Sequence, residues 1–176
     1  MNSHYFLNKI LILIVLIICT FSGAFAQNWW NSSFEFRQTI NISNVGTTSL
    51  LDFPAYINLS YNSSMQTNFN DIRFTNGSCG MSSPNELFYE IENYTSSNNA
   101  HVWLNVPSIA ASGTSVCMYY GNSTVSSTSS SQTWNSAYEV VQGFEETDTS
   151  DRLDSTANGY DSTPFNFDST EKISGI

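Results

Sequence analysis

Apolar and polar side chains alternate along most of this chain, and that alternation defines its elements. In the run Phe34 to Ile42 the apolar residues Phe34, Phe36, Ile40 and Ile42 fall on even positions, interrupted only by Gln38. Phe53, Ala55, Ile57 and Leu59 share one face of a second run, and Ile72 and Phe74 share one face of a third. Leu87, Tyr89 and Ile91 follow, then Ala100, Val102, Leu104 and Val106, then Val116, Met118 and Tyr120. A seventh run, Tyr138 to Phe144, is more weakly patterned. A period of two is that of a strand with one dry face and one wet face. Turn-rich stretches such as SNVGTTS and TNGSCGMSSPN separate the runs, and none of comparable length has helical spacing. Seven short strands predict an all-β fold, an antiparallel two-sheet β-sandwich. Pro54 cannot donate to a ladder, so its strand is expected at a sheet edge or to begin there. Gly121-Asn122 marks a turn closing the sixth strand.

Two segments depart from this pattern. Residues 123–133 (STVSSTSSSQT) are almost entirely Ser and Thr, too polar to bury a face, and read as a flexible linker. At the other end, Lys9 precedes an apolar run from Ile10 to Cys19, and Ala24-Phe25-Ala26 follows. That order is the signature of a secretory signal peptide cut before Gln27. Its apolar core of ten residues is shorter than the ~20 that a membrane span needs. An uncleaved anchor that extends through Phe21 to Ala26 is the competing reading. Cys19 makes a poor lipidation site because bulky Ile18 precedes it.

Charge narrows the partners. The expected mature chain, residues 27–176, keeps Arg37, Arg73, Arg152 and Lys172 against all 15 acidic residues. A nucleic-acid partner is excluded on sign, and an anionic membrane surface is disfavoured, leaving the signal or an outside anchor as the route to a membrane. Nine of the acids lie between Glu139 and Ile176. That tail is too short for a core of its own. It is either a partner strand with an acidic end or the opening of a second domain.

Removing the leader takes Cys19 away and leaves Cys79 and Cys117. An even count in an exported chain favours one disulfide between them over two unpaired thiols. Candidate chemistry is thin. Glu90 and Glu92 lie two apart on one strand face with Glu86 further along it, a spacing compatible with paired catalytic carboxylates and equally with a solvated face. Asp148, Asp151 and Asp154, with Asp161 and Asp168, are hard oxygen ligands suited to Ca2+, although their spacing fits no EF-hand loop and also suits a solvated acidic loop. His101 is the only histidine after the leader, which leaves zinc sites and histidine-based triads little to work with. Trp29, Trp30, Trp103 and Trp134, with Tyr56, Tyr61 and Tyr119, could form a sugar-stacking platform. Trp103 and His101 occupy the face opposite Val102 and Leu104, and with Tyr119 they are the candidate ligand-binding residues. The alternative is that such aromatics fill the core or cover a domain join. Asn-x-Ser/Thr sequons at Asn31, Asn41, Asn58, Asn62, Asn76, Asn93 and Asn122 are about as frequent as this composition produces by chance.

Five blocks occur in a fixed order. They are Trp30 through Arg37 to Ile40-Asn41-Ile42, then Asp71-Ile72-Arg73-Phe74, then Leu87 to Glu92, then Ala100 to Pro107, and finally Tyr119-Tyr120-Gly121-Asn122. Together, over residues 29 to 125, they resemble a prokaryotic surface-protein domain, domain of unknown function twenty-three forty-one. The tail blocks Tyr138 to Glu146, Asp154 to Thr163 and Lys172 to Ile176 resemble the start of a concanavalin A-like lectin/glucanase (laminin G-like) jelly roll. Ala157 and Ser162 depart from that pattern, which commonly has Gly at those places. Neither resemblance transfers a catalytic residue.

The sequence thus predicts a signal peptide at 1–26, a β-sandwich at 27–122, a linker at 123–133 and a truncated jelly-roll start at 134–176. The expected function is that of an exported cell-surface or secreted module for adhesion or glycan contact, without catalysis of its own, whose partner is an extracellular glycan or surface protein. An N-terminal part of a polysaccharide-active enzyme and a structural spacer of a surface layer are the alternatives.

Overall fold

A computed structural model describes residues 28–146 and 150–165. The leader, Asp148, Asp168 and the block Lys172 to Ile176 lie outside these described residues. Seven strands form two antiparallel sheets: β1 (Phe36–Ile42), β2 (Leu50–Ser60), β3 (Arg73–Asn76), β4 (Glu86–Leu87), β5 (Tyr89–Thr95), β6 (Asn99–Ile109) and β7 (Thr114–Tyr120). One sheet runs β1-β7-β3-β4 and the other β2-β6-β5. The sandwich is the all-β architecture that the alternation predicts.

Most of each strand's apolar set turns inward, although Phe36 of β1 and Phe53 of β2 each stay 40% exposed. Val116, Met118 and Tyr120 of β7 and Phe74 of β3 face Val102, Leu104 and Val106 of β6 and Tyr89 of β5. Burying each large side chain of this kind contributes about 1.5 to 3 kcal/mol. Met65, Phe69 and Ile72, from the turns between β2 and β3, complete the same core. Pro54 lies within β2, which among the described residues pairs only with β6, so its missing N–H leaves no ladder bond unmade. Tyr120 ends β7, and Gly121 follows at φ 85, a left-handed conformation that suits glycine.

The strand inventory differs from expectation in two places. Leu87 to Ile91 is not one strand. Leu87 pairs with Phe74 in the four-stranded sheet, whereas Tyr89 pairs with Leu104 in the three-stranded sheet. The chain crosses between sheets at Phe88, which is 49% exposed and whose carbonyl accepts the Asn105 N–H. The period of two survives the crossing, so both Leu87 and Tyr89 reach the core. The second difference is that Tyr138 to Phe144 is not a strand. The Val141 N–H donates to the Asp154 carboxylate, and the Val141 carbonyl accepts the Ser155 N–H, so local loop bonds take the groups a ladder would use.

The Ser/Thr-rich stretch expected as a linker runs against the sandwich. The Ser130 N–H donates to the Tyr89 carbonyl, and the Ile91 N–H donates to Ser129 Oγ. A single 3-10 turn, Ser131–Thr133, then places Trp134 over the outer face of the three-stranded sheet. Polarity of side chains does not stop a backbone from bonding to a free strand edge.

Under the other sheet sits a smaller cluster. Phe34, Cys117 and Tyr119 are buried there, with Trp30, Cys79 and Val125 packed against them. Cys79 and Cys117 form the expected disulfide, with Cα atoms 4.8 Å apart, and it ties the loop after β3 to β7.

Candidate ligand-binding face

The outer face of the three-stranded sheet carries a row of polar and aromatic side chains. Because β6 alternates, Val102 and Leu104 point into the core and leave His101 and Trp103 on the other side. Register sets their neighbours: Tyr56 of β2 lies opposite Trp103 and Asn58 opposite His101, while Glu90 of β5 lies opposite Trp103 from the other flank. A bulge between Ile91 and Asn93 adds Glu92 as an extra residue. Its carboxylate accepts the Trp103 indole N–H at 2.9 Å.

The rings form a row. Tyr56 lies 5.9 Å from His101 and 5.2 Å from Trp103, Trp103 lies 5.4 Å from Trp134, and Trp134 lies 5.3 Å from Tyr138. The two ends differ. Trp134, backed by Tyr138, is only 9% exposed and covers the row on the β5 side, whereas Tyr56 is 48% exposed on the β2 side. Polar contacts hold the closed end: Glu90 accepts the Trp134 indole N–H and the Ser155 hydroxyl, and the Asn93 amide donates to Glu145. Trp103 is thus covered by the following segment on one side and adjoins the exposed Tyr56 on the other.

Tyr119 is not part of this face. It is 1% exposed, lies on the four-stranded sheet, and packs beneath Trp29 and Trp30, with its hydroxyl accepting the Trp30 N–H. Arg37 stacks over Trp29 at 4.3 Å, adding to the cover. Alternation with Met118 and Tyr120 turns Tyr119 away from the main core. What it could not show is that the segment before β1 folds over Tyr119.

The three glutamates are likewise separated. Glu86 belongs to the other sheet, 3.6 Å from the Arg73 guanidinium, not further along the face of Glu90 and Glu92. Glu90 and Glu92 are each committed as acceptors of an indole N–H.

Of the acidic candidates, Asp148 lies outside the described residues and Asp151 is exposed. Asp154 organises the tail. It accepts the N–H groups of Val141, Thr156 and Tyr160 and the Thr156 hydroxyl, at 2.7 to 3.0 Å. Among the described residues no three His, Cys, Asp or Glu side chains group to hold a metal ion. Desolvation tends to raise the Asp154 carboxyl, but these four donors outweigh it and hold it well below the usual carboxylate range. A depressed folded-state value means stability that is fully present above the unfolded value of about 3.9 and is lost as pH falls below it. Amide exchange at Val141, Thr156 and Tyr160, corrected for intrinsic rates, is expected to hold steady above about pH 5 and to speed up below about pH 4. Asp154→Asn should show the faster exchange at neutral pH. Unchanged protection in both tests would contradict this role.

Sequence reasoning missed two buried and multiply bonded polar groups, Asp71 and Arg73. Buried Asp71 accepts the N–H groups of Gln66, Gly121 and Asn122, at 2.9, 2.7 and 3.2 Å. Arg73 donates to the carbonyls of Asn70, Ile72 and Ser126 and to the Tyr89 hydroxyl. Tyr89 in turn donates to the Ile72 carbonyl. The available signal was the pairing of an acid and a base around one core residue, Asp71-Ile72-Arg73, in a chain with few cations.

No curated protein and no solved structure matches this chain. A family model does match, over residues 68–170, which is 103 of the 176 residues. The matched span begins later than the 29 to 125 expected and runs further. It takes in β3 to β7, the Ser/Thr-rich stretch and most of the tail. Asp71, Arg73, Glu90, Trp103, Gly121 and Trp134 all fall inside it. The chain belongs to the family described as Domain of unknown function (DUF2341).

Proposed function

We propose that this chain is an exported, non-catalytic β-sandwich module of a cell-surface or secreted protein, and that it contacts extracellular glycan through the outer face of its three-stranded sheet. The observation that carries the reading is the row Tyr56, His101 and Trp103, open at the tyrosine end. A rigid phenol beside hydrogen-bonding side chains is the surface that an amphipathic ring prefers. The Cys79–Cys117 disulfide is compatible with an oxidising compartment. Commitment of Glu90 and Glu92 to indole donors supports a binding role over acid–base chemistry.

A broad glycan array with the full chain tests the reading. The expected result is retention on at least one glycan, weakened by about tenfold in Tyr56→Ala, the loss of one aromatic contact. Tyr56 is a surface residue, so the variant should fold. Absence of retention on every glycan, or wild-type retention by Tyr56→Ala, overturns it.

A further inference from the structure

Four polar side chains join β2 to β6 at the open end of the ring row. The Asn99 amide nitrogen lies 3.3 Å from Asn58 Oδ1 and 3.2 Å from His101 Nε2. On its other side, His101 Nδ1 is bonded to the Tyr56 hydroxyl. The bonding network assigns the proton positions. Since the Asn99 NH2 group donates to both partners, His101 Nε2 accepts, and a neutral imidazole then carries its proton on Nδ1. That proton goes to the Tyr56 oxygen. The hydrogen of the phenol itself is left unclaimed by this network, on a ring that is 48% exposed.

We propose that this relay fixes Tyr56 as an outward hydrogen-bond donor beside its own stacking face, and that the glycan unit it takes is a neutral hexose. The inference rests on the glycan-binding reading above and names its ligand class. A hexose presents an apolar face to the phenol and hydroxyl oxygens that accept from its O–H. Charge selects the neutral form. Strands β2, β5 and β6 contain no Lys or Arg, and Glu92 lies beside Trp103 on the same face. A uronate or sulfated sugar would meet a carboxylate and no cation from these strands, which opposes its binding. His101 is a positioning residue here, acting through Tyr56.

Two measurements test this on the full chain. The first is a long-range proton–nitrogen NMR spectrum of a His4→Gln chain, whose single histidine is then His101, at a pH where the ring is neutral. Protonated Nδ1 and bare Nε2 are expected, and the opposite tautomer overturns the relay. The second compares retention on neutral hexose polymers (dextran, mannan and galactan) with retention on polygalacturonate. Wild type should prefer the neutral set, and Tyr56→Phe, which keeps the ring and removes the donor, should bind about fivefold more weakly. Equal binding by Tyr56→Phe, or tighter binding of polygalacturonate, overturns the hexose assignment and leaves the glycan reading standing. Failure of wild type to bind any glycan on the broad array removes the reading beneath it as well.

Discussion

Replacing Asp71 with alanine is expected to lower folding stability by about 3 to 5 kcal/mol, because three backbone N–H groups lose their acceptor and each buried orphan costs about 1 to 3 kcal/mol. Asp71 is fully buried, and its two oxygens join two distant parts of the chain. One takes the Gln66 N–H, while the other takes those of Gly121 and Asn122. Gln66 repeats the link from its side chain, donating to the carbonyls of Asn122 and Val125. Loss of the carboxylate therefore loosens both the turns before β3 and the exit from β7. Asp71→Asn is the control for shape. It keeps the volume but turns one acceptor into a donor facing an N–H, so its cost should approach that of alanine. Urea denaturation decides the matter: the midpoint should fall while the slope stays constant. A loss below about 1 kcal/mol in both variants would show that water replaces the carboxylate at no great cost.

The second large effect concerns Cys79 and Cys117. Their bridge closes a 38-residue loop, and its removal is expected to cost about 3 to 4 kcal/mol in the chain-entropy description. Cys117 is buried against Phe34 and Tyr119, so replacing it also disturbs packing. Reduction of the unaltered chain separates the two contributions. Denaturation of the oxidised and the reduced chain should differ by that amount, and Cys79→Ala should match the reduced chain. A structural consequence accompanies the energetic one. Residues 77–84, with Gly77 and Gly80 at positive φ, lose their tie to β7, so exchange at the Cys79 N–H, bonded to Thr39, should rise. Equal stability of the two redox forms would contradict the entropy argument.

The fate of the aromatic residues shows where reading the chain stops. Trp103 and Tyr119 occupy equivalent positions in their strands, each on the face opposite buried neighbours, and alternation treats them alike. In the folded molecule Tyr119 is covered by Trp29, Trp30 and Phe34, while Trp103 keeps an open neighbour in Tyr56. The difference arises from segments outside both strands. Glu90 and Glu92 give a similar lesson. Their spacing suggested a shared face, but the bulge and the arrival of Trp134 determine what each carboxylate touches.

Side-chain periodicity, a local property, determined by itself that this protein is built of strands, most of the strand residues that enter the core, and where Pro54 and Gly121 can be tolerated. The parity of the cysteines after the leader likewise pointed to one bridge. Only the tertiary structure decided which outward faces stay open, that Leu87 and Tyr89 serve different sheets, and that Asp71 and Arg73 are buried at all. The physical reason is that alternation records solvent on one side of a strand, whereas covering a face or satisfying a buried charge depends on groups brought from far along the chain.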